Sequence, residues 1–229
     1  MANNLPSELE HEALKAKQRE LREGFPEGLT LRVHRALSWL GRACNEESDL
    51  DARFVFYWIA FNSAYARDPS SEIGDDLKKG ERSAFAAFFR TMVDLDKDQR
   101  LFNTIWSRFP GPIRLILENK FVYQPFWHFH NGLEEYRDWE RRFEQSKSVV
   151  NGALRSKDTI LILSILFDRL YVLRNQLVHG GATWNSSANR DQLRDGVAIL
   201  GFVVPIFIDI MMENPHQEWG AAHYPVVEI

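Results

Sequence analysis

The stretch that most restricts the fold is DTILILSILFDRLYVLRNQLVHGG, residues 158–181, an apolar run too long for a strand and patterned as a helix. Leu163, Phe167, Leu170, Arg174 and Leu177 follow one another at intervals of three or four and therefore share one stripe of the helix surface. Ser164, Asp168, Asn175 and Gln176 fall on roughly the opposite half, at about 100° of rotation per residue, which makes that half the expected water-facing side. Arg174 is thus a cation set in an apolar stripe. A guanidinium is a permanent charge and is costly to bury alone, so Arg174 should line a cleft or an interface, or meet an acid such as Asp168, Asp195 or Asp209.

His179 stands five positions further on, roughly 140° around and about 7.5 Å along a continuous helix, which would hold the two side chains apart. Gly180-Gly181 is a termination signal, with one glycine expected in the left-handed conformation. His179 is then at the frayed carboxyl end, where its imidazole can swing toward the arginine.

The remaining chain supplies helices for this one to pack against. Residues 7–23 form helix-prone but heavily charged sequence, cut off by Gly24, Pro26 and Gly28, and are read as an appended arm; 1–28 and 29–229 are the expected arm and single domain. Residues 31–44 carry Leu31, Ala36, Leu37, Leu40 and Ala43 at amphipathic spacing, and Asp49 or Asp51 is placed to cap the next helix. That helix, residues 54–66, is apolar on every side and belongs at the centre of a bundle. Asn62 is its odd member: its amide either clamps a neighbouring backbone or faces the same cleft as Arg174.

Residues 68–82 read as a loop and 83–95 as a helix with Phe85, Phe88, Phe89 and Met92 on one face. Asp98 is expected to cap a helix over 99–108, and the DLDKD run lacks the glycine and glutamate of a calcium loop. The middle, from Phe109-Pro110-Gly111-Pro112 through FVYQPFWHFH, is an irregular insertion. On an extended segment His128 and His130 would point to one side, but no third ligand is visible nearby and packing among the aromatics is the stronger reading. Asn189 is placed to cap a long last helix with Leu193, Val197, Leu200, Val204, Phe207 and Met211 on one face, kinked at Pro205. Together these elements predict an all-α, up-and-down helical bundle with a long kinked C-terminal helix.

The most apolar stretch, residues 197–212, is shorter than the roughly 18–20 residues needed to span a bilayer and contains Asp209, so a buried helix and no membrane partner are expected. A single Cys44 suits a reducing cytoplasm, and the start of the sequence lacks the basic-then-apolar pattern of a signal peptide. With a net charge of −4 there is no global basic field, so any contact with nucleic acid must be local.

The string Arg174-Asn175-x-x-x-His179 resembles the R-N-x-x-x-H signature of the HEPN superfamily, small all-α proteins many of which are metal-independent ribonucleases. In detail the sequence resembles the Apea-like branch, which also carries an aromatic-rich helix such as FVFYWIAFNSAYA well before the motif; the likeness covers most of 31–213. The resemblance implies a homodimer in which two motifs face one composite cleft and cleave RNA by 2′-hydroxyl attack, with no cofactor and no metal. Arg174 would grip phosphate, His179 would carry a proton, and Asn175 would orient phosphate or hold the motif loop. Toxin-like or defence use, with a neutralising antitoxin partner, is also implied. The alternative is a HEPN-like module that binds a nucleotide, RNA or protein without turnover.

Overall fold

Helix follows helix along the whole of the computed structural model, which describes residues 5–65, 77–187 and 189–220, the stretch 77–84 by its backbone alone. The helices are α1 (His11–Leu21), α2 (Glu27–Cys44), α3 (Leu50–Tyr65), α4 (Leu77–Leu95), α5 (Arg100–Asn103), α6 (Pro110–Leu117), α7 (Gln124–His130), α8 (Trp139–Ser156), α9 (Thr159–Val178) and α10 (Arg190–Glu213). Among the described residues there is no strand, and the all-α bundle expected from the periodicities is what forms.

The centre of the bundle is a cluster of rings from four helices. Phe61 of α3 meets Phe167 of α9 at 4.5 Å between centroids, and Phe89 of α4 and Phe207 of α10 close around the pair. Rings at such separations add attraction beyond the area they bury. As α3 proceeds from Trp58 to Phe61, its contacts on α9 retreat from Tyr171 to Phe167, so the two helices run antiparallel. The start of α3 therefore lies beside the end of α9. From Thr159 to Leu177 no residue of α9 is exposed, because other helices surround it. α10 is the one described helix long and apolar enough to cross a membrane, and most of it is buried against its neighbours; Pro205 lies inside it.

Several local expectations are corrected. The N-terminal segment, read as an appended arm, packs on the bundle: Leu9 and Leu14 are buried in the common core, and Lys17 bonds Asp209 and Glu213 of α10 at 2.7 and 2.9 Å. Its charges hid an apolar stripe. α4 begins at Leu77, inside the stretch read as loop; the rest of that loop, 68–76, lies outside the described residues, as does the tail from 221 on. Asp96, not Asp98, holds the start of α5, accepting the backbone N–H of Leu101 at 2.7 Å while Gln99 takes a left-handed φ of 54°. α5 then continues as a π-helical turn over Thr104–Arg108. His128 and His130 sit on a helix rather than an extended segment, their rings tilted against Tyr136 and Phe126. Asn189 occupies the start of α10, but its side chain is engaged elsewhere and makes no cap bond. Asp49, by contrast, does cap α3, through the N–H of Ala52 at 3.0 Å.

Candidate functional site

The motif lies where α9 stops. Gly180 takes φ +70°, a conformation in which a side chain would be strained, and donates to Leu177 O, while Ala182 turns back to donate to Gln176 O at 2.9 Å. The termination expected from Gly180-Gly181 thus ends the helix at Val178, with His179 as the capping residue, whose own N–H still closes on Asn175 O at 3.0 Å. The His179 side chain is exposed.

Arg174 is half-buried rather than sunk in the core. The buried cation of α9 is Arg169, 4% exposed, whose guanidinium lies 4.4 Å over the Tyr123 ring and bonds Ser146 Oγ at 2.9 Å. Arg169 ties the middle insertion to the bundle, and helical spacing alone had not marked it. Arg174 Nη1 donates to Asn175 Oδ1 at 2.9 Å, its Nε is buried without a hydrogen-bond partner, and among the described residues no carboxylate pairs with it. Of the acids considered for it, Asp209 is sealed to Lys17 and Arg100, and Asp195 is held above the usual carboxylate range by burial, Arg194 only partly opposing this.

This geometry relates the two motif side chains. On an ideal helix Asn175 lies about 100° round from Arg174 and about 40° short of His179. By accepting from Arg174, Asn175 draws the guanidinium toward the side of the helix that His179 occupies. Tyr171, one turn earlier, and Val178 belong to the same face and were not singled out from the sequence. Asn62 is placed differently: it is half-buried on α3 one residue past Phe61, level with Phe167 and about two helical turns from Arg174.

Gln176, one of the variable positions of the motif, is the joint of the site. Its Nε2 donates to Phe121 O at 2.7 Å and its Oε1 accepts from Asn189 Nδ2 at 2.8 Å, so one amide links the middle insertion, α9 and the start of α10. The loop after the motif is fastened to the start of α3. Trp184 Nε1 donates to Asp49 Oδ2 at 2.8 Å, and Asp51 Oδ2 accepts from Asn185 N at 3.2 Å and from Arg190 Nη1 at 2.9 Å. The N–H of Ala52, with the Trp184 indole, holds the Asp49 carboxyl below its ordinary range despite partial burial. Beneath this loop the cavity lined by Asp51, Gln176, Leu177 and Asn189 is only about 10 Å3, room for about one water. A ligand would have to lie on the outer face.

Comparisons with protein-family models, with characterised proteins and with solved structures find no match for this chain.

Proposed function

We propose that this chain is a HEPN-like, metal-independent endoribonuclease whose site is assembled from the Arg174 and His179 of two copies. The observation that carries the reading is Arg174: a half-buried guanidinium with an unsatisfied Nε and no acid beside it, led by Asn175 toward an exposed imidazole. Gln176 is bonded on both sides, whereas this cation has hydrogen-bonding capacity left over.

In the reaction a base takes the proton of the 2′-hydroxyl, and the O2′ attacks phosphorus. The P–O5′ bond then breaks, and the departing oxygen receives a proton from an acid, leaving a 2′,3′-cyclic phosphate and a 5′-hydroxyl. One imidazole serves as base and one as acid, and a single chain offers one at this site, which is why two copies are required. Arg174 presents a planar fork to the phosphate oxygens and offsets the charge that grows on them in the transition state.

The test is cleavage of RNA by the purified protein in a chelating buffer. Cleavage that ends in a cyclic phosphate and is lost in Arg174→Ala and His179→Ala, with the fold and a dimer retained by circular dichroism and light scattering, is expected. Metal-dependent cleavage, or cleavage indifferent to both substitutions, overturns the mechanism. One observation favours a second reading, binding without turnover: the Nη1 arm of Arg174 is already engaged by Asn175. That reading predicts Arg174-dependent RNA binding and intact RNA.

A further inference from the structure

The end of the bundle that carries the motif also carries two large side chains that the fold leaves in water and yet holds still. Trp184 is 73% exposed, although its indole N–H is committed to Asp49 and the residue after it donates its backbone N–H to Asp51. Phe121 is 44% exposed, although its carbonyl oxygen accepts both Gln176 Nε2 at 2.7 Å and Trp127 Nε1 at 2.8 Å. An aromatic side chain on a loose surface loop folds back onto apolar neighbours when it can. Here polar anchors fix the Trp184 ring edge and the Phe121 backbone, and part of each ring stays open, although Phe126 meets the Phe121 ring edge to face at 5.4 Å. Gln176 donates its side-chain amide to Phe121 O and accepts at its backbone oxygen from the N–H of Ala182, two residues before Trp184, so both segments border the carboxyl end of α9.

We infer that Trp184 and Phe121 are stacking platforms for nucleobases, and that the motif therefore takes RNA in unpaired form. The inference rests on the ribonuclease reading for the kind of ligand but not for turnover. Three physical points support it. Bases in a duplex are stacked on one another and cannot lie on a protein ring, whereas an unpaired strand gains contact area on each exposed face. The cations at this end suit a strand's phosphates: Lys120 Nζ stands 5.3 Å from the Phe121 ring centroid, and Arg174 has no carboxylate partner. Two acids of this end are occupied within the protein, Asp51 by Arg190 and Asp49 by the Trp184 indole and the N–H of Ala52. With a net charge of −4 the whole chain has no general attraction for phosphate, so stacking must supply much of the affinity.

The test uses the full chain and a fluorescent 12-nucleotide RNA uniformly 2′-O-methylated, which lacks the attacking hydroxyl, either unpaired or annealed to its complement. Binding is read by anisotropy. The unpaired strand is expected to bind at least ten-fold tighter than the duplex. Trp184→Ala and Phe121→Ala should each weaken it roughly 5- to 100-fold, the range of a base stacked on an aromatic ring. Trp184→Phe should recover most of the loss. Equal binding of strand and duplex, no binding of either, or alanine variants that bind normally overturns the inference. So does a loss of binding that tracks a change of oligomeric state in light scattering, which would assign both rings to self-association. Failure of catalysis is separable: Trp184-dependent binding with no cleavage of unmodified RNA sustains the platforms and removes the nuclease, while cleavage with normal binding by both alanine variants does the reverse.

Discussion

Arg100 and Arg174 are two cations of one bundle in opposite surroundings. Arg100 reaches Asp96, Asp209 and Glu213, sharing the last two with Lys17, so that α1, α5 and the end of α10 close on one ionic knot. Burial disfavours the charge on both cations of this knot, but the bonds to Asp209 and Glu213 outweigh it and push them upward. The same bonds hold Glu213 below its usual range against its own desolvation. Arg174, at the end of α9, has only the amide of Asn175. A fold that pairs one arginine with three carboxylates and another with none separates a structural charge from one with capacity to bind an anion.

The contrast predicts effects of different size in different assays. Asp209→Ala should be the most damaging substitution for the fold, because it strands Lys17 and Arg100; a loss of about 3–5 kcal/mol is expected in denaturant unfolding. A loss below about 1 kcal/mol would mean that the knot is replaceable and the contrast weak. Gln176→Ala, which releases Phe121 and Asn189 together, should cost about 1–3 kcal/mol by the same measurement and increase hydrogen exchange in residues 179–187. Asp49→Ala, removing a helix cap and the Trp184 anchor, should cost about 1 kcal/mol.

Asp49 also gives the sign of an acid effect. Its folded-state pKa lies below the ordinary 3.8, so its contribution is complete above about pH 4 and is lost as pH falls further through the folded value. Trp184 quenching by acrylamide, measured against Asp49→Asn, should rise in the unsubstituted protein below that pH and be nearly flat in the variant. An equal rise in both would remove Asp49 as the anchor.

The parts that the sequence made legible were those with long, unambiguous periods. The residues of α2, α3, α9 and α10 repeat at helical spacing over four turns or more, and Gly180 marks a stop that needs no tertiary partner. What escaped depends on contacts distant in the chain. Arg169 looks like an ordinary helical charge until Tyr123 and Phe143 fold over it. Lys17 lies in a charged segment, and only its meeting with Asp209 shows that the segment is docked. Asp96 and Asp98 are equivalent as sequence, and the left-handed Gln99 decides which of them reaches the amides of α5. At the site, the spacing of Arg174 and His179 implied two faces of a helix, and the bond from Arg174 to Asn175 was not legible in that spacing. Gln176 carried no signal because its partners are distant in the chain, Asn189 across a loop and Phe121 across α7, α8 and most of α9.

Arg174, unlike Arg100, is spared a structural duty. The most direct test sets Arg174→Ala beside Arg100→Ala and measures, for each, thermal unfolding and cleavage of unpaired RNA in a chelating buffer. Arg174→Ala is expected to melt within a few degrees of the unsubstituted protein and to lose at least a hundred-fold in cleavage, while Arg100→Ala melts far lower. An Arg174→Ala protein that unfolds like Arg100→Ala, or that still cleaves at the full rate, would contradict this division of roles.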